Sequence, residues 1–295
     1  MHVRRALALI ACTVLAAPAL AQQQGTLERI KQSGTISLGH RESSIPFSYY
    51  DDKQQVVGYS HDMQLKVVEA VKKKLNLPNL AVKYTPVTSQ NRIPLIQNGT
   101  VDLECGSTTN NLERQKQVDF TTTIFIVGTR LLTKKDSGVK DFPDLKGKNV
   151  VTTAGTTSEK LIRAMNDEKK MGMNIISAKD HGESWLTLES GRAVAFMMDD
   201  ALLAVERAKA RKQDDWIILG TPQSREAYGC MLLKGDVGFK KLADGAISAA
   251  LKSQGEAEFK KWFQSPIPPK GVNLNLPLSD DMKELFKNPN DKAFQ

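Results

Sequence analysis

The sequence predicts an α/β fold of two lobes with a cleft between them. Strands and helices alternate in two separate sets, at residues 36–105 and 149–219, and such alternation favours mostly parallel sheets with right-handed crossovers. Two apolar stretches, 124–133 and 227–233, follow the two sets and can carry the chain from one lobe to the other and back. Ligands of such folds bind at strand ends, so the cleft is where a site is expected.

The first set of elements is predicted from apolar periodicity and from residues that start or stop helices. Ser60 and Ser89 are expected to cap two helices, which end near Asn76 and Gly99. The predicted elements are helices at 25–32, 60–75 and 89–98 and strands at 36–38, 80–84 and 101–105.

The second set continues this pattern and is followed by helices and a proline-rich tail. Its strands are predicted at 149–153, 174–177, 193–198 and 216–219, and the later helices at 158–171, 183–190, 201–210, 237–253 and 256–263. The predicted boundaries are 27–123 and 229–275 for lobe 1, 129–223 for lobe 2, 124–128 and 224–228 for two hinge strands, and 276–295 for a tail packed on lobe 1.

The first 21 residues have the pattern of a secretory signal peptide. Arg4 and Arg5 are basic, residues 6–17 are apolar but too few to span a bilayer, and Ala21 ends a small-x-small cleavage pattern. We expect cleavage after Ala21 and a soluble protein in the periplasm. A lipid anchor on Cys12 is the alternative, but the apolar segment before it would be shorter than usual.

Loss of Cys12 leaves Cys105 and Cys230, an even number of cysteines in an oxidising compartment. A disulfide between them is expected, and two buried free thiols are the alternative. Neither has a histidine nearby in its own segment, which disfavours a cysteine nucleophile.

Charge and composition favour a small ligand over a nucleic acid. Cleavage would leave 274 of the 295 residues and lower the formal charge from +8 to +6. Many of the lysines, such as those at 72–74, fall on the solvated faces of predicted helices. No basic block is interleaved with aromatic residues, as a nucleic-acid groove requires.

The stretch 103–120 combines the donors that recognise a carboxylate. Ser107 and Thr109 lie in a run of hydroxyls, Asn110 stands where a helix N-cap is expected, and Arg114 falls in the first turn. Hydroxyls, unpaired amides at a helix start and a guanidinium together suit an anion. The alternative is a solvated turn in which Arg114 pairs with Asp119.

Seven stretches carry a family resemblance. They are GHRESSIPFSYY, TSQNRIPLIQNG, ECGSTTNNLERQKQVDF, AGTTSE, SAKDHGES, GRAVAFMMDDALL and EAYGCML. In this order they resemble the family 3 periplasmic solute-binding proteins that serve ATP-binding-cassette amino-acid importers, and in particular those that bind glutamate and aspartate. The resemblance implies the two-lobed type II periplasmic-binding-protein fold with two hinge crossovers, L-glutamate or L-aspartate as ligand, and a membrane permease as partner. It implies a monomer with no cofactor and no catalysis.

The resemblance also implies roles for residues that hold the ligand's α-carbon groups. Arg114, with Ser107 and Thr109, matches the family's α-carboxylate site. Thr157 would add donors from lobe 2, unless it belongs to an ordinary helix start. Asp199 matches the ammonium acceptor, and Asp200 is then the N-cap of the next helix, although adjacent acids leave the reverse assignment open.

A second group is expected to hold the ligand's side chain. Arg41 is basic where relatives that bind neutral or basic amino acids are often acidic, so the side chain that it meets should be an anion. Ser89 and Arg92 could reach the same oxygens, with a surface arginine as the alternative for Arg92. His181 could donate from lobe 2 or be an ordinary loop residue. Three arginines against one aspartate predict an excess of positive charge in the cleft.

An enzyme on the same scaffold, such as a periplasmic dehydratase, is the second hypothesis. Consecutive side chains such as Asp199 and Asp200 point in different directions and do not form a catalytic pair. The sequence contains no nucleophile elbow, phosphate loop or dinucleotide fingerprint, and no metal-binding spacing. Glutamate and aspartate differ by one methylene, worth about 1–3 kcal/mol, so the sequence does not rank them.

Overall fold

The structure, a computed structural model, describes residues 25–294. The predicted signal peptide, its cleavage after Ala21 and the alternative anchor at Cys12 lie outside the described residues. No helix within residues 25–294 has the length and apolar character needed to cross a membrane.

The helices bury one face each against the sheet. In the helix that begins at Tyr59, Met63, Val67 and Val71 are buried at helical spacing, and the left-handed backbone of Asn76 ends it as predicted. The helices are α1 (Thr26–Ser33), α2 (Tyr59–Leu75), α3 (Arg92–Gln97), α4 (Leu112–Gln115), α5 (Thr157–Glu168), α6 (His181–Glu189), α7 (Asp200–Lys209), α8 (Val237–Phe263) and α9 (Asp280–Lys287).

The strands form one large sheet and one small one. They are β1 (Thr35–His40), β2 (Ser43–Ser44), β3 (Ser48–Tyr50), β4 (Val56–Val57), β5 (Ala81–Pro86), β6 (Leu103–Glu104), β7 (Thr109–Asn110), β8 (Asp119–Lys134), β9 (Asn149–Thr153), β10 (Asn174–Ala178), β11 (Ala195–Asp199), β12 (Trp216–Leu219) and β13 (Arg225–Leu232). The large sheet runs β10-β9-β11-β8-β13-β6-β1-β5, with β12 on β8 and β7 on β13, and β2-β3-β4 is the small sheet.

The large sheet has two parallel halves joined by two antiparallel crossing strands. The half around β1, β5 and β6 is lobe 1, and the half around β9, β10, β11 and β12 is lobe 2. Both β8 and β13 pass between the halves and pair with each other. Strand β12 departs from the parallel pattern and pairs antiparallel with β8. The predicted two-lobed α/β class with two crossovers is confirmed.

Aromatic rings support the crossing strands from the lobe 1 side. The ring centroid of Phe47 lies 5.0 Å from that of Phe125 on β8 and 5.1 Å from that of Tyr228 on β13. Phe263, at the end of α8, stacks on Phe125 at 4.6 Å. Edge and stacked contacts of this kind add to the burial of the rings and hold both strands against lobe 1.

The predicted disulfide between Cys105 and Cys230 is present, with an S–S distance of 2.07 Å. It links the residue after β6 to β13, and both cysteines are buried. The alternative of two free thiols is excluded.

The C-terminal part differs from the prediction in two ways. The two helices expected at 237–253 and 256–263 are the single helix α8, with Gly255 inside it. A Cβ at Gly255 would lie 2.7 Å from Phe286 of α9, so the glycine allows the close approach of that helix. Helix α9 itself, which was predicted as part of an irregular tail, packs on α8 and β8.

Three predicted helix caps are wrong. Ser60 lies inside α2 and donates its hydroxyl to the carbonyl of Gly106 at 2.8 Å. Ser89 lies two residues before Asn91, the residue preceding α3. Asn110 pairs with β13 as part of β7, so the cap of α4 is Asn111, whose side chain accepts from the Arg114 amide. For Ser60 and Asn110, contacts with residues distant in sequence, which the local pattern does not encode, take the place of the predicted cap.

Candidate functional site

The predicted site residues converge where the two lobes face each other. Each one follows the carboxyl end of a strand or begins the next helix, which is the edge at which α/β sheets bind ligands. All nine have buried or half-buried positions between the lobes: Arg41, Ser89, Arg92, Ser107, Thr109, Arg114, Thr157, His181 and Asp199.

Arg41 lies directly after β1 and is 1% exposed. Its backbone amide donates to the hydroxyl of Ser48 at 2.9 Å, which fixes the loop. Within residues 25–294, its Nη1 has no hydrogen-bond acceptor. Burial and then the charge of Arg92 lower the pKa of Arg41 to about 10, so it remains cationic at neutral pH. A buried cationic donor of this kind is suited to an anion.

Arg92 is also buried, which excludes the surface alternative. Its Nη1 donates to the Ser107 carbonyl at 3.2 Å and to the hydroxyl of Thr108. Thr108 in turn donates to Glu104 at 2.8 Å. The buried hydroxyl of Ser89 has no partner among the described residues. The group predicted to bind the ligand's side chain therefore contains two guanidiniums and a hydroxyl. Some of their N–H and O–H donors have no acceptor among the described residues.

Arg114 bridges the lobes. Its Nη1 donates to the Thr109 carbonyl in lobe 1 at 2.9 Å, and its Nη2 donates to the Gly155 carbonyl in lobe 2 at 3.2 Å. Burial, followed by the charge of Arg92, lowers its pKa to about 10 and leaves it cationic at pH 7. The alternative pairing with Asp119 is excluded, because Asp119 pairs with Lys234 at 2.7 Å.

The lobes meet closely around this arginine. Gly155 has a positive φ of 76°, and a Cβ there would lie 2.8 Å from the backbone nitrogen of Gln90 in lobe 1. Glu113 and Lys160 form an exposed ion pair across the same gap at 2.6 Å. Glycine is required at 155 by both its backbone conformation and this approach.

His181 begins α6 and faces lobe 1. Its Nε2 lies 3.4 Å from the Ser107 hydroxyl, and its Nδ1 lies 2.8 Å from the hydroxyl of Thr153. Burial and the charges of Arg41 and Arg92 lower its pKa well below the usual value. The ring is therefore neutral at pH 7 and can donate one N–H without adding charge.

Asp199 ends β11 and is the acid that faces the cleft. It accepts from the hydroxyl of Tyr228 and from that of Thr129, the latter at 3.1 Å. Burial and then the charge of Glu226 raise its pKa well above the usual value. Asp200 accepts from the amide of Ala201 at 2.7 Å and is the first residue of α7, whereas the N-cap position is held by Asp199, so this fourth predicted cap is also wrong. A cation beside Asp199 would relieve its repulsion by Glu226.

The predicted excess of positive charge is wrong. Two buried acids, Glu104 and Glu226, also lie near the three arginines. Glu104 ends the two-residue β6, and Glu226 is the second residue of the eight-residue β13. An acid inside such a strand was the available signal, since charged residues are rarely buried without a partner. The choice of ligand must therefore depend on where the individual charges lie and not on the net charge of the cleft.

The last predicted residue, Thr157, is the first residue of α5. The helix cap is Thr156, whose side chain accepts from the Glu159 amide, and not Ser158. The Thr157 hydroxyl donates to Glu226 at 2.7 Å, and the Thr109 hydroxyl donates to the same oxygen. A cavity of about 220 Å³ lies beside these groups.

The arrangement can bind a small zwitterion with an additional acid group. Guanidiniums lie at two places, Arg114 at one and Arg41 with Arg92 at the other. The carboxylates of Asp199 and Glu226 lie at a third place, and hydroxyl groups lie between them. Among residues 25–294, no group of three or more histidine, cysteine or acidic side chains is placed to hold a metal ion.

The chain is similar to known proteins over most of its length. The family model for "Bacterial extracellular solute-binding proteins, family 3" matches residues 36–265. An L-glutamate/L-aspartate-binding protein of Pseudomonas aeruginosa is 66% identical, covering 96% of this chain and 95% of the relative. A glutamate/aspartate import solute-binding protein of Escherichia coli K12 is 65% identical, covering 98% and 96%. The solved structure of an ancestral arginine-binding protein bound to arginine is similar, with a TM-score of 0.69 and 28% identity over 78% of this chain and 98% of that one.

Proposed function

Because the chain belongs to the bacterial extracellular solute-binding proteins of family 3, we propose that it captures L-glutamate and L-aspartate in the periplasm and delivers them to the permease of an ATP-binding-cassette importer. Relatives at 65–66% identity, over nearly their whole length, carry names that state glutamate and aspartate binding. The observation on this chain that supports the proposal most is the burial of Arg41, Arg92 and Arg114 between the lobes.

The three groups of the ligand have separate partners in the proposed complex. Arg114 and the helix start at Thr157 bind the α-carboxylate beside Thr109, and they hold the lobes together around it. Asp199 accepts from the ammonium, whose positive charge offsets the repulsion from Glu226. Each contact pairs a charge on the ligand with a buried charge on the protein, which avoids the cost of an unpaired buried ion.

The side-chain carboxylate of the ligand is assigned to Arg41 and Arg92. The Nη1 of Arg41 and the hydroxyl of Ser89, which have no partner within residues 25–294, supply donors. Ser107 was predicted to bind the α-carboxylate, but because it lies beside the neutral His181 we assign both residues to this group. A guanidinium selects an anion over an amide at this place because only the anion gains the full charge interaction.

The remaining features follow from this role. The ligand is bound and released unchanged, so the protein is a carrier and not an enzyme. We propose that one chain acts alone, that a signal peptide is removed after Ala21, and that lobe 1 comprises 27–123 and 229–275 and lobe 2 comprises 129–223. Residues 124–128 and 224–228 then act as hinges, and 276–295 as a tail on lobe 1.

Calorimetric titration with the common amino acids tests the proposal. We expect tight binding at one site per chain for L-glutamate and L-aspartate, and binding weaker by at least about a hundredfold for L-glutamine and L-lysine, since buried groups would be left unpaired. Equal affinity for glutamate and glutamine would refute the assignment of Arg41 and Arg92. Turnover of any of these compounds, detected by mass spectrometry, would favour an enzyme.

A further inference from the structure

Glu226 is a buried acid beside the cleft that the proposed site does not use as a ligand contact. It lies on β13, opposite Val127 of β8, and is 3% exposed. Burying a carboxylate is costly unless all of its oxygens are satisfied by hydrogen bonds or by charge. The burial of Glu226 on a crossing strand beside the cleft therefore needs a structural explanation.

The partners of Glu226 come from both lobes. Its Oε2 accepts from the hydroxyl of Thr109 in lobe 1 and from that of Thr157 in lobe 2, the latter at 2.7 Å. Its Oε1 accepts from Ser224 at 2.9 Å and lies 3.3 Å from the hydroxyl of Thr129 of β8, which has one proton and also lies within hydrogen-bond distance of Asp199. One carboxylate thus joins the two lobes and both crossing strands.

The contact at Oε2 depends on how the lobes are placed. Thr109 and Thr157 are far apart in sequence and belong to separate lobes, so they reach the same oxygen only when the lobes are together. The Nη2 of Arg114 reaches the Gly155 carbonyl under the same condition. Any opening of the cleft would separate Glu226 from at least one of the two hydroxyls.

We propose that Glu226 is a positioning residue, which ties Thr109 to Thr157 across the cleft and so slows release of the ligand. The proposal rests on the proposed function, because these two threonines flank the place assigned there to the α-carboxylate. Glu226 acts through them and not by touching the ligand. It stabilises the arrangement in which both lobes contact the ligand, and the rate of dissociation depends on how often that arrangement opens.

The chemistry requires a carboxylate at this position. Its Oε2 accepts from two hydroxyls and its Oε1 accepts from Ser224, whereas the nitrogen of an amide accepts none. Glu226→Gln keeps the size of the side chain but removes its charge, and the hydroxyls that face the new amide nitrogen must accept instead of donate. The variant is therefore a test of the hydrogen bonds with little change in packing.

The test measures association and dissociation of L-glutamate by stopped-flow fluorescence for wild type and Glu226→Gln. We expect dissociation to become at least about tenfold faster, because bonds to a charged group are lost, and association to change less than about twofold. Asp102→Asn is the matched control. Asp102 is a buried acid that accepts from the Ser37 amide and from Arg29, entirely within lobe 1, so its loss should leave both rates unchanged.

Small-angle X-ray scattering without ligand supplies the second readout. We expect a larger radius of gyration for Glu226→Gln than for wild type or for Asp102→Asn. This readout decides the role of Glu226 even if wild type binds neither glutamate nor aspartate, an outcome that would refute the proposed function separately.

Two results would overturn the proposal. One is an unchanged dissociation rate together with an unchanged radius of gyration in Glu226→Gln. The other is a loss of the preference for L-glutamate over glutarate, which lacks the ammonium, with the radius of gyration unchanged. Glu226 would then contact the ligand's ammonium instead of positioning the threonines.

Discussion

Replacing Arg114 with alanine removes the guanidinium assigned to the α-carboxylate. The side chain is 6% exposed, so water cannot readily take over its role. Leaving one member of a buried ion pair without its partner costs about 3–5 kcal/mol, which corresponds to a rise in Kd of about 150- to 5,000-fold. The loss of the donor to Gly155 removes a contact between the lobes and acts in the same direction.

Calorimetric titration with L-glutamate and L-aspartate measures the effect. Both ligands should lose affinity by similar factors, because both present the same α-carboxylate to Arg114. Arg114→Lys keeps the charge without the planar fork and is expected to lose less. Arg163→Ala is the matched surface control, since Arg163 is half-exposed and pairs with Glu159 on its own helix.

The assignment of Arg114 to the α-carboxylate would be refuted by a Kd for Arg114→Ala within about threefold of the value for wild type and Arg163→Ala. Thermal unfolding must show in the same experiment that the variant is folded. A selective loss of only one of the two ligands would also contradict the assignment to the shared carboxylate.

Three further predictions concern other parts of the molecule. Arg41→Asp should shift preference away from acidic amino acids in the same titrations, and unchanged selectivity would remove Arg41 from the side-chain site. The pKa of Asp199 is raised on folding, so its contribution to stability is present at acidic pH and is lost as the pH rises through the folded-state pKa. In chemical unfolding, Asp199→Asn should therefore gain stability relative to wild type as the pH rises above about 4, the ordinary pKa of an aspartate, although it should bind ligand more weakly; a difference independent of pH would contradict this. Cys105→Ser with Cys230→Ser should lower the free energy of unfolding by about 2–4 kcal/mol, because the bridge closes a long loop, and an unchanged denaturation midpoint would contradict that expectation.

Much of the fold could be predicted because strand and helix alternation is a strong local signal. The boundaries of β9, β10 and β12 match the apolar runs within a residue, since buried strands require such runs. Once strands and helices alternate, ligands are expected at the carboxyl ends of the strands, and Arg41 follows β1 and His181 follows β10 there. The roles predicted for these two residues came from the family resemblance.

The parts that could not be predicted depend on contacts distant in sequence. Asn110 has a side chain that suits a cap, but pairing with β13 extends its backbone and moves the cap by one residue. Gly255 resembles a helix end, yet Phe286 packs against it and the helix continues. Helix α9 did have a local signal, because Ser279 caps it before acidic residues, and the preceding prolines outweighed that signal.

The acids of the site illustrate the same limit. Glu226 stands in an apolar strand, where its neighbours predict burial but not the hydroxyls that make burial tolerable. Those hydroxyls come from Thr109, Thr157, Ser224 and Thr129, and only the folded chain brings them together.

A crystal structure with bound L-glutamate tests the central claim most directly. The account predicts one ligand between the lobes, with its α-carboxylate on Arg114, its ammonium on Asp199 and its side-chain carboxylate on Arg41 and Arg92. A ligand bound elsewhere, or one whose two carboxylates contact neither Arg41 nor Arg114, would contradict it.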